Sequence, residues 1–177
     1  MAQTQISTTQ DKKRKKPLIV RFNEKFMDED SDSQGLVGPF LPAIGTKHSV
    51  GLDIRSPEEY ILPPHSSTRI NTFVRVSFPV NHYCRIADRS SMAIRGLMVG
   101  GGVVDQDFQG DIEVVIHNLR STHAIIERRE AFAQLIFERC TPPSSILFVN
   151  YKEELLDLET VSKERGEKGF GSTGQGV

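Results

Sequence analysis

Ser67-Thr-Arg-Ile-Asn-Thr-Phe-Val-Arg-Val-Ser-Phe78, closed by Pro79 and followed by Tyr83-Cys-Arg-Ile-Ala87, decides the fold class. Its isoleucines, valines and threonines are β-branched, which suits a pleated surface better than a helix. Apolar residues in it do not return every third or fourth position, as a helix face requires. The same texture extends outward from Ser49 to Tyr151, as short apolar runs punctuated by Gly, Pro, Asn and Asp. Asp111–His117, Ala133–Glu138 and Ile146–Tyr151 read as further strands, and Leu18–Phe22 as the first. Pro57, Pro63, Pro64, Pro79, Pro142 and Pro143 would interrupt helices. Only Ser90–Gly96 suggests a helical turn, with Leu97 leading on into glycines. The pattern predicts an all-β domain, a barrel or sandwich of the jelly-roll kind.

At 177 residues the chain is long enough for one domain with a real core. Residues 1–16 are polar and then basic and read as a disordered tail, followed by the β domain over 17–151. Within it, acidic Asp28–Asp32 leads into an exposed Gly/Pro-rich loop at 35–45. Residues 152–168 are highly charged and lack a strand pattern, so 152–177 reads as a flexible arm that ends in glycines. A net charge of -1 argues against a nucleic-acid-binding surface over the whole protein, and no direct nucleic-acid binding is expected. Lys12-Lys-Arg-Lys-Lys16 is a compact basic run. It reads as a nuclear-import signal, an anion-binding arm or a solvated extension. No apolar run approaches membrane-spanning length and no signal-peptide core follows the N-terminal charges, so neither membrane insertion nor secretion is expected. The expected location is intracellular: nuclear on the strength of the basic run, cytoplasmic without it. Cys84 and Cys140 lie in apolar, strand-like surroundings without metal-ligand spacing and read as buried free thiols.

Chemistry concentrates in a few segments. Arg165-Gly-Glu-Lys-Gly-Phe170-Gly-Ser-Thr-Gly174 joins glycines that can turn N–H groups toward an anion to the donors of Arg165, Lys168, Ser172 and Thr173. Phe170 adds a flat face for a nucleobase. No helix-opening Gly-Lys-Ser/Thr follows, so this is not a Walker loop. Gly100-Gly-Gly-Val-Val-Asp105-Gln-Asp-Phe108-Gln-Gly110 suggests a hairpin whose bare backbone approaches a ligand edge-on. Asp105 can serve there as a general base on water, or simply cap a turn. Arg89-Ser90-Ser91 suits phosphate oxygens at a helix start, or is an ordinary serine cap beside a surface arginine. Asp53 is either a turn residue or a carboxylate held on a rigid strand. Gln134, inside an apolar strand, faces either solvent or a ligand. The five histidines show no metal-site spacing, and no Gly-x-Ser-x-Gly elbow supports a serine nucleophile.

Taken in order, five segments resemble the trimeric all-β dUTPases: Ser49–Ile54, Arg85–Ala93, Gly100–Gly110, Glu127–Ile136 and Arg165–Gly174. The resemblance spans about residues 17–174. It implies a distorted jelly-roll barrel in a homotrimer with C-terminal arm exchange, hydrolysing dUTP to dUMP and pyrophosphate. That reaction limits uracil incorporation into DNA and supplies dUMP for thymidylate synthesis. Mg2+ would be carried on the triphosphate, with Asp53 near its water shell. Asp105 would activate the water that attacks the α-phosphorus. Ser90, with backbone groups around Arg89 and Ser91, would hold the phosphates, assisted by Gln134. Gly100, Gly102, Val103 and Val104 would read uracil through the backbone, and Phe108 would pack on deoxyribose where the family usually has tyrosine. Arg165, Gly171, Ser172 and Thr173 would close on the outer phosphates while Phe170 stacks over uracil. Three departures stand out. Ser91 replaces a glycine, Lys168 replaces a glycine, and Arg129-Glu-Ala-Phe-Ala-Gln134 stands where the family has Gly-Asp-Arg-Ile-Ala-Gln. Two rivals share the fold: a noncatalytic scaffold for protein recognition, and a dCTP deaminase. The deaminase pattern is echoed in Arg89–Leu97, but it needs a glutamate where this chain has Val115.

Overall fold

The computed structural model describes residues 18–22 and 41–141, with the backbone of 148–149 and 155–156. Antiparallel strands dominate it, as the sequence pattern predicts. The largest sheet has five strands in the order β2 (Ala43–Ile44), β3 (Leu52–Arg55), β12 (Ala131–Arg139), β7 (His82–Asp88) and β9 (Val103–Val104). A second joins β5 (Ser66–Asn71), β10 (Glu113–Asn118) and β8 (Leu97–Gly100). Three pairs complete the set: β1 (Ile19–Phe22) with β6 (Val74–Ser77), β4 (Tyr60–Leu62) with β11 (Ala124–Ile126), and β13 (Phe148–Val149) with β14 (Leu155–Leu156). One short helix, α1 (Ser90–Ile94), follows β7.

Strand alternation builds the core. In β10, Val114, Ile116 and Asn118 face inward while Glu113, Val115 and His117 are half-buried on the other side. The inward rows of several strands meet in one cluster that includes Ile54, Leu62, Ile70, Leu97, Ile116, Ile126, Phe132 and Leu135. Asn118 is, with Ser56 and Thr72, one of three buried polar residues among those described. Its Nδ2 donates to the carbonyls of Leu62, Pro63 and Thr122 at 3.0, 2.9 and 2.9 Å, and its Oδ1 accepts from Arg120 N at 3.0 Å. A buried amide satisfied in this way pins the β4–β5 connection to the end of β10.

The structure departs from the sequence reading at five places, one being that the segment 35–45, read as an exposed loop, ends in β2. Ser67–Phe78 is not one strand: Thr72 and Phe73 break it into β5 and β6, which belong to different sheets. Phe73 adopts φ 55°, Asn71 Oδ1 accepts from its N–H at 2.7 Å, and Thr72 Oγ1 donates to Ile112 O at 2.7 Å. These local bonds supply a turn that periodicity does not reveal. The glycine run is not a hairpin either, because β8 pairs with β10 while β9 pairs with β7. Gly101, at φ 60°, turns the chain from one sheet to the other. The segment read as strandless at 152–168 contains β14. Cys140, expected to be buried, is half-buried just beyond the end of β12, whereas Cys84 is fully buried.

Burial, and secondarily the charge of Glu138, pushes the Cys84 thiol up to about 12. Thiolate is the reactive form, so a thiol reagent at pH 8 should label Cys140 in the native protein and Cys84 only on unfolding. Mass mapping of the labelled peptides checks this, and equal native labelling of both would contradict the burial of Cys84.

Candidate functional site

Three sequence-distant segments meet at a polar cavity of about 240 Å³, lined by Gly45, Ser49, Gly51, Asp53, Arg89, Ser90, Ser91 and Gln134. Sheet register accounts for the meeting. Gln134 of β12 stands opposite Asp53 of β3 on one side and Ala87 of β7 on the other. β7 then runs directly into α1, which delivers Arg89, Ser90 and Ser91. Gln134 is half-buried between the buried Ala133 and Leu135, so strand alternation turns it away from the core. It lines the cavity.

Gly51 makes room for that glutamine. A Cβ at position 51 would lie 1.8 Å from Gln134 Oε1, well inside contact distance. With Oε1 lodged over the bare Cα, Nε2 donates to Asp88 O at 2.7 Å, and the amide is fixed at both ends. Ser49 is set by a small turn in which its Oγ meets Thr46 Oγ1 at 2.8 Å and accepts from Thr46 N at 3.0 Å. Gly45, Ser49 and Gly51 escaped the sequence reading as site residues. The usable signal was the Thr46-x-x-Ser49 turn leading directly into Gly51.

Arg89 occupies the helix N-cap position and makes no side-chain cap bond there. Its Nε donates to Asp53 Oδ1 at 3.0 Å and its Nη1 to Ala131 O at 2.7 Å. The guanidinium therefore ties β3 to the first residue of β12, and the Asp53 carboxylate is turned toward Arg89. Ser90, not the cap, is the first helical residue. Met92 N and Ala93 N both bond to Arg89 O, while the N–H groups of Ser90 and Ser91 have no acceptor within the helix. A helix start with hydroxyls and uncommitted N–H groups is chemically suited to an anion.

The third segment lies elsewhere. None of Gly100, Gly102, Val103, Val104, Asp105 and Phe108 lines the cavity. A Cβ on Gly102 would come within 2.3 Å of Ile86 O, and Gly102 O accepts from Ile86 N at 2.7 Å. A Cβ on Gly100 would lie 2.2 Å from His117 Nε2. The protein's own backbone requires glycine at 102, and the His117 side chain occupies the space beside Gly100. Val104 is buried and Val103 is 61% exposed, and both pair on one side with β7. As β9 is the sheet's edge strand, its other backbone edge faces away from β7. Asp105 is exposed and opens a turn closed by Phe108 N–H to Asp105 O at 3.2 Å, and the half-buried Phe108 ring packs against the core. Arg165, Phe170, Gly171, Ser172 and Thr173 lie outside the described residues. Among the described residues no group of three or more His, Cys, Asp or Glu could hold a metal ion.

The altered fourth motif keeps its turn. Glu130 N donates to Glu127 O at 3.0 Å, and Arg129, where the resemblance has glycine, sits at φ 70°.

The dUTPase family profile matches residues 40–174. The deoxyuridine 5'-triphosphate nucleotidohydrolase of Variola virus is 34% identical over 134 residues, covering 75% of this chain and 84% of that one. The Debaryomyces hansenii protein of the same name is 34% identical over 139 residues, covering 76% and 81%. Among solved structures, the Staphylococcus bacteriophage 80alpha dUTPase with dUPNHPP superposes with a TM-score of 0.62 at 23% identity, covering 89% of this chain and 98% of that one. The native EIAV dUTPase gives 0.60 at 21%, covering 76% and 98%. These two likenesses speak to the fold.

A left-handed backbone costs a residue with a Cβ about 1 kcal/mol or more relative to glycine. Arg129→Gly should therefore stabilise the protein by about 1 kcal/mol, a rise of about 3 °C in melting temperature for a domain of this size. Calorimetry checks it, and an unchanged or lower melting temperature would mean that contacts of the Arg129 side chain outweigh the relieved strain.

Proposed function

This chain belongs to the dUTPase family, and from that premise we propose how its residues carry out the hydrolysis of dUTP to dUMP and pyrophosphate. The observation that carries the reading is the cavity, where Asp53, Ser90, Ser91 and Gln134 converge from three separate motifs on one helix start. Ser90 Oγ and the N–H groups of Ser90 and Ser91 hold the phosphate chain. Gln134, locked between Gly51 and Asp88 O, contributes its amide from the opposite wall. Arg89 acts mainly through its backbone, because its side chain holds Asp53 and Ala131. Asp105 takes a proton from the water that attacks the α-phosphorus. As the new P–O bond forms, the bond to the bridging oxygen breaks and pyrophosphate leaves. The free edge of β9 hydrogen-bonds uracil as a neighbouring strand would, and the Phe108 ring walls off a 2′-hydroxyl.

Asp105 and Phe108 do not line the cavity of their own chain, which supports a homotrimer in which each site joins the cavity of one protomer to the β9 turn of another. Residues 152–177 then form the arm that brings Arg165, Phe170, Gly171, Ser172 and Thr173 to a neighbouring protomer, and the core, spanning 17–151, closes as a distorted jelly-roll barrel. Mg2+ bound mainly by substrate phosphates needs only one or two carboxylates from a protein, and one, Asp53, is present at the cavity. Asp53 would hold such an ion through water, and the ion would supply neutralisation of phosphate charge. Lys12–Lys16 serves as a nuclear-import signal.

Asp105→Asn keeps size and polarity but removes the base. Turnover of dUTP should fall by about 10² or more with nucleotide affinity retained, as pyrophosphate release and equilibrium binding would show. Near-normal turnover would remove Asp105 from this role. Replacing Lys12–Lys16 by alanine should move a large fluorescent fusion from nucleus to cytoplasm, and an unchanged distribution would rule out the import signal.

A further inference from the structure

The helix that carries Ser90 and Ser91 is too short to hold itself. At five residues it is far below the length at which an isolated helix persists in water. It has no side-chain cap, no acidic residue in its first turn, and Met92 as its one buried side chain. External fastening must fix it, and an arginine stands at each end. Arg89 at the N-cap reaches back to Asp53 and Ala131 O, inside the site already described. Arg95 at the C-cap points outside the cavity. Its Nη1 pairs with Glu130 Oε1 and also approaches Met92 Sδ at 3.4 Å, and its Nη2 donates to Ile125 O at 2.5 Å.

Glu130 is held as firmly as Arg95. Its Oε2 accepts from Glu127 N at 2.9 Å, its N–H donates to Glu127 O at 3.0 Å, and its carbonyl accepts from Ser56 N at 2.9 Å. It belongs to the turn that contains the left-handed Arg129, and that turn sets the start of β12, the strand that presents Gln134. Side-chain exposures of 36% for Arg95 and 26% for Glu130 make this a partly desolvated pair with a forked donor, not a loose surface contact. The helix is thus tied at both ends to two consecutive residues, Glu130 and Ala131. The start of α1 and Gln134 of β12 are two of the three parts that line the cavity, so the two ties together set their spacing.

We propose that Arg95 and Glu130 are positioning residues for the phosphate cavity. They touch no substrate, and they hold the Ser90–Ser91 end of α1 at its distance from Gln134. This rests on the cavity being the triphosphate-binding part of a dUTPase site. Displacements of about 1 Å in groups that position a reacting substrate can cost up to 10²-fold in rate, so a pair outside the cavity can still govern it.

The test is a double-mutant cycle with Arg95→Gln, Glu130→Gln and the combined variant, assayed for dUTP hydrolysis where circular dichroism shows each protein folded. Each single change should lower kcat/KM about tenfold, mostly through KM, because the cradle grips phosphates in the ground state as well. The combined variant should be no worse than the poorer single one, since both changes remove the same pair. Arg95→Lys should recover only part of the loss, because an ammonium lacks the fork that reaches Glu130 and Ile125 O together. Wild-type kcat/KM in the folded single variants, or losses that multiply in the double, would overturn the proposal. So would a lowered melting temperature with unchanged KM, which would make the pair merely structural. A wild-type chain without dUTP turnover would instead overturn the underlying assignment, and this proposal with it.

Discussion

The pairing of β12 with a strand on each side sets every other relationship in the site. Ala133, Leu135 and Gln134 are neighbours in sequence but face opposite ways, so one register places two side chains in the core and one in the cavity. A slip of one residue would bury the Gln134 amide, costing about 1–3 kcal/mol if unsatisfied, and would expose Leu135 to water. The strand also departs from alternation at one point. Ala131 pairs with Arg55 and Ala133 with Ile54, leaving Phe132 as the extra residue of a bulge. Because of it Ala131, Phe132 and Ala133 are all buried, and Phe132 is the largest fully buried side chain in the core. Ala131 O, at the start of this bulge, accepts from Arg89 Nη1 at 2.7 Å. Core packing and site geometry are thus set by one strand.

Glycine plays a different part from the one its motifs suggest. A ligand that needs a bare backbone and a side chain that needs one leave the same mark in a sequence. In this chain Gly51 receives Gln134, Gly100 receives His117 and Gly102 receives the backbone of Ile86. Each close approach is internal, and those at Gly51 and Gly102 shape the segments that the site draws on. Gly51 lets Gln134 reach Asp88 O, and Gly102 holds β9 against β7 so that the opposite edge of β9 stays on the outside of the sheet.

The fold class was legible because β-branched runs bounded by turn residues have few other outcomes, and β7, β10 and β12 were placed within two residues of their ends. The short strands β3, β4, β8 and β11 carry too little pattern to be seen alone, although β1, of four residues, was read; their partners define them. The break between β5 and β6 was hidden for a related reason, since Asn71 and Thr72 look like strand residues until their side chains bond to the local backbone. In the site, Asp53, Ser90 and Gln134 were legible as unusual polar groups in apolar or helix-start positions. The direction of the Arg89 guanidinium was not, because it depends on Ala131 O, a backbone atom 42 positions away in sequence.

The fourth motif shows how a left-handed turn survives without its glycine. Arg129 at φ 70° carries a strain of about 1–2 kcal/mol. Five hydrogen bonds hold the turn against it: Arg129 N to Ser56 O at 2.8 Å, Ser56 N to Glu130 O at 2.9 Å, Glu130 N to Glu127 O at 3.0 Å, Glu127 N to Glu130 Oε2 at 2.9 Å and Arg55 Nη1 to Arg129 O at 3.0 Å. At about 0.5–1.5 kcal/mol each, these outweigh the strain even at the low end of the range. Three of them use Glu130, where the resemblance has aspartate, two through its backbone and one through its carboxylate, which caps Glu127 N while also pairing with Arg95. The turn is therefore held by its bonding pattern more than by its residue type, which is why a motif altered in sequence still delivers Gln134 to the cavity.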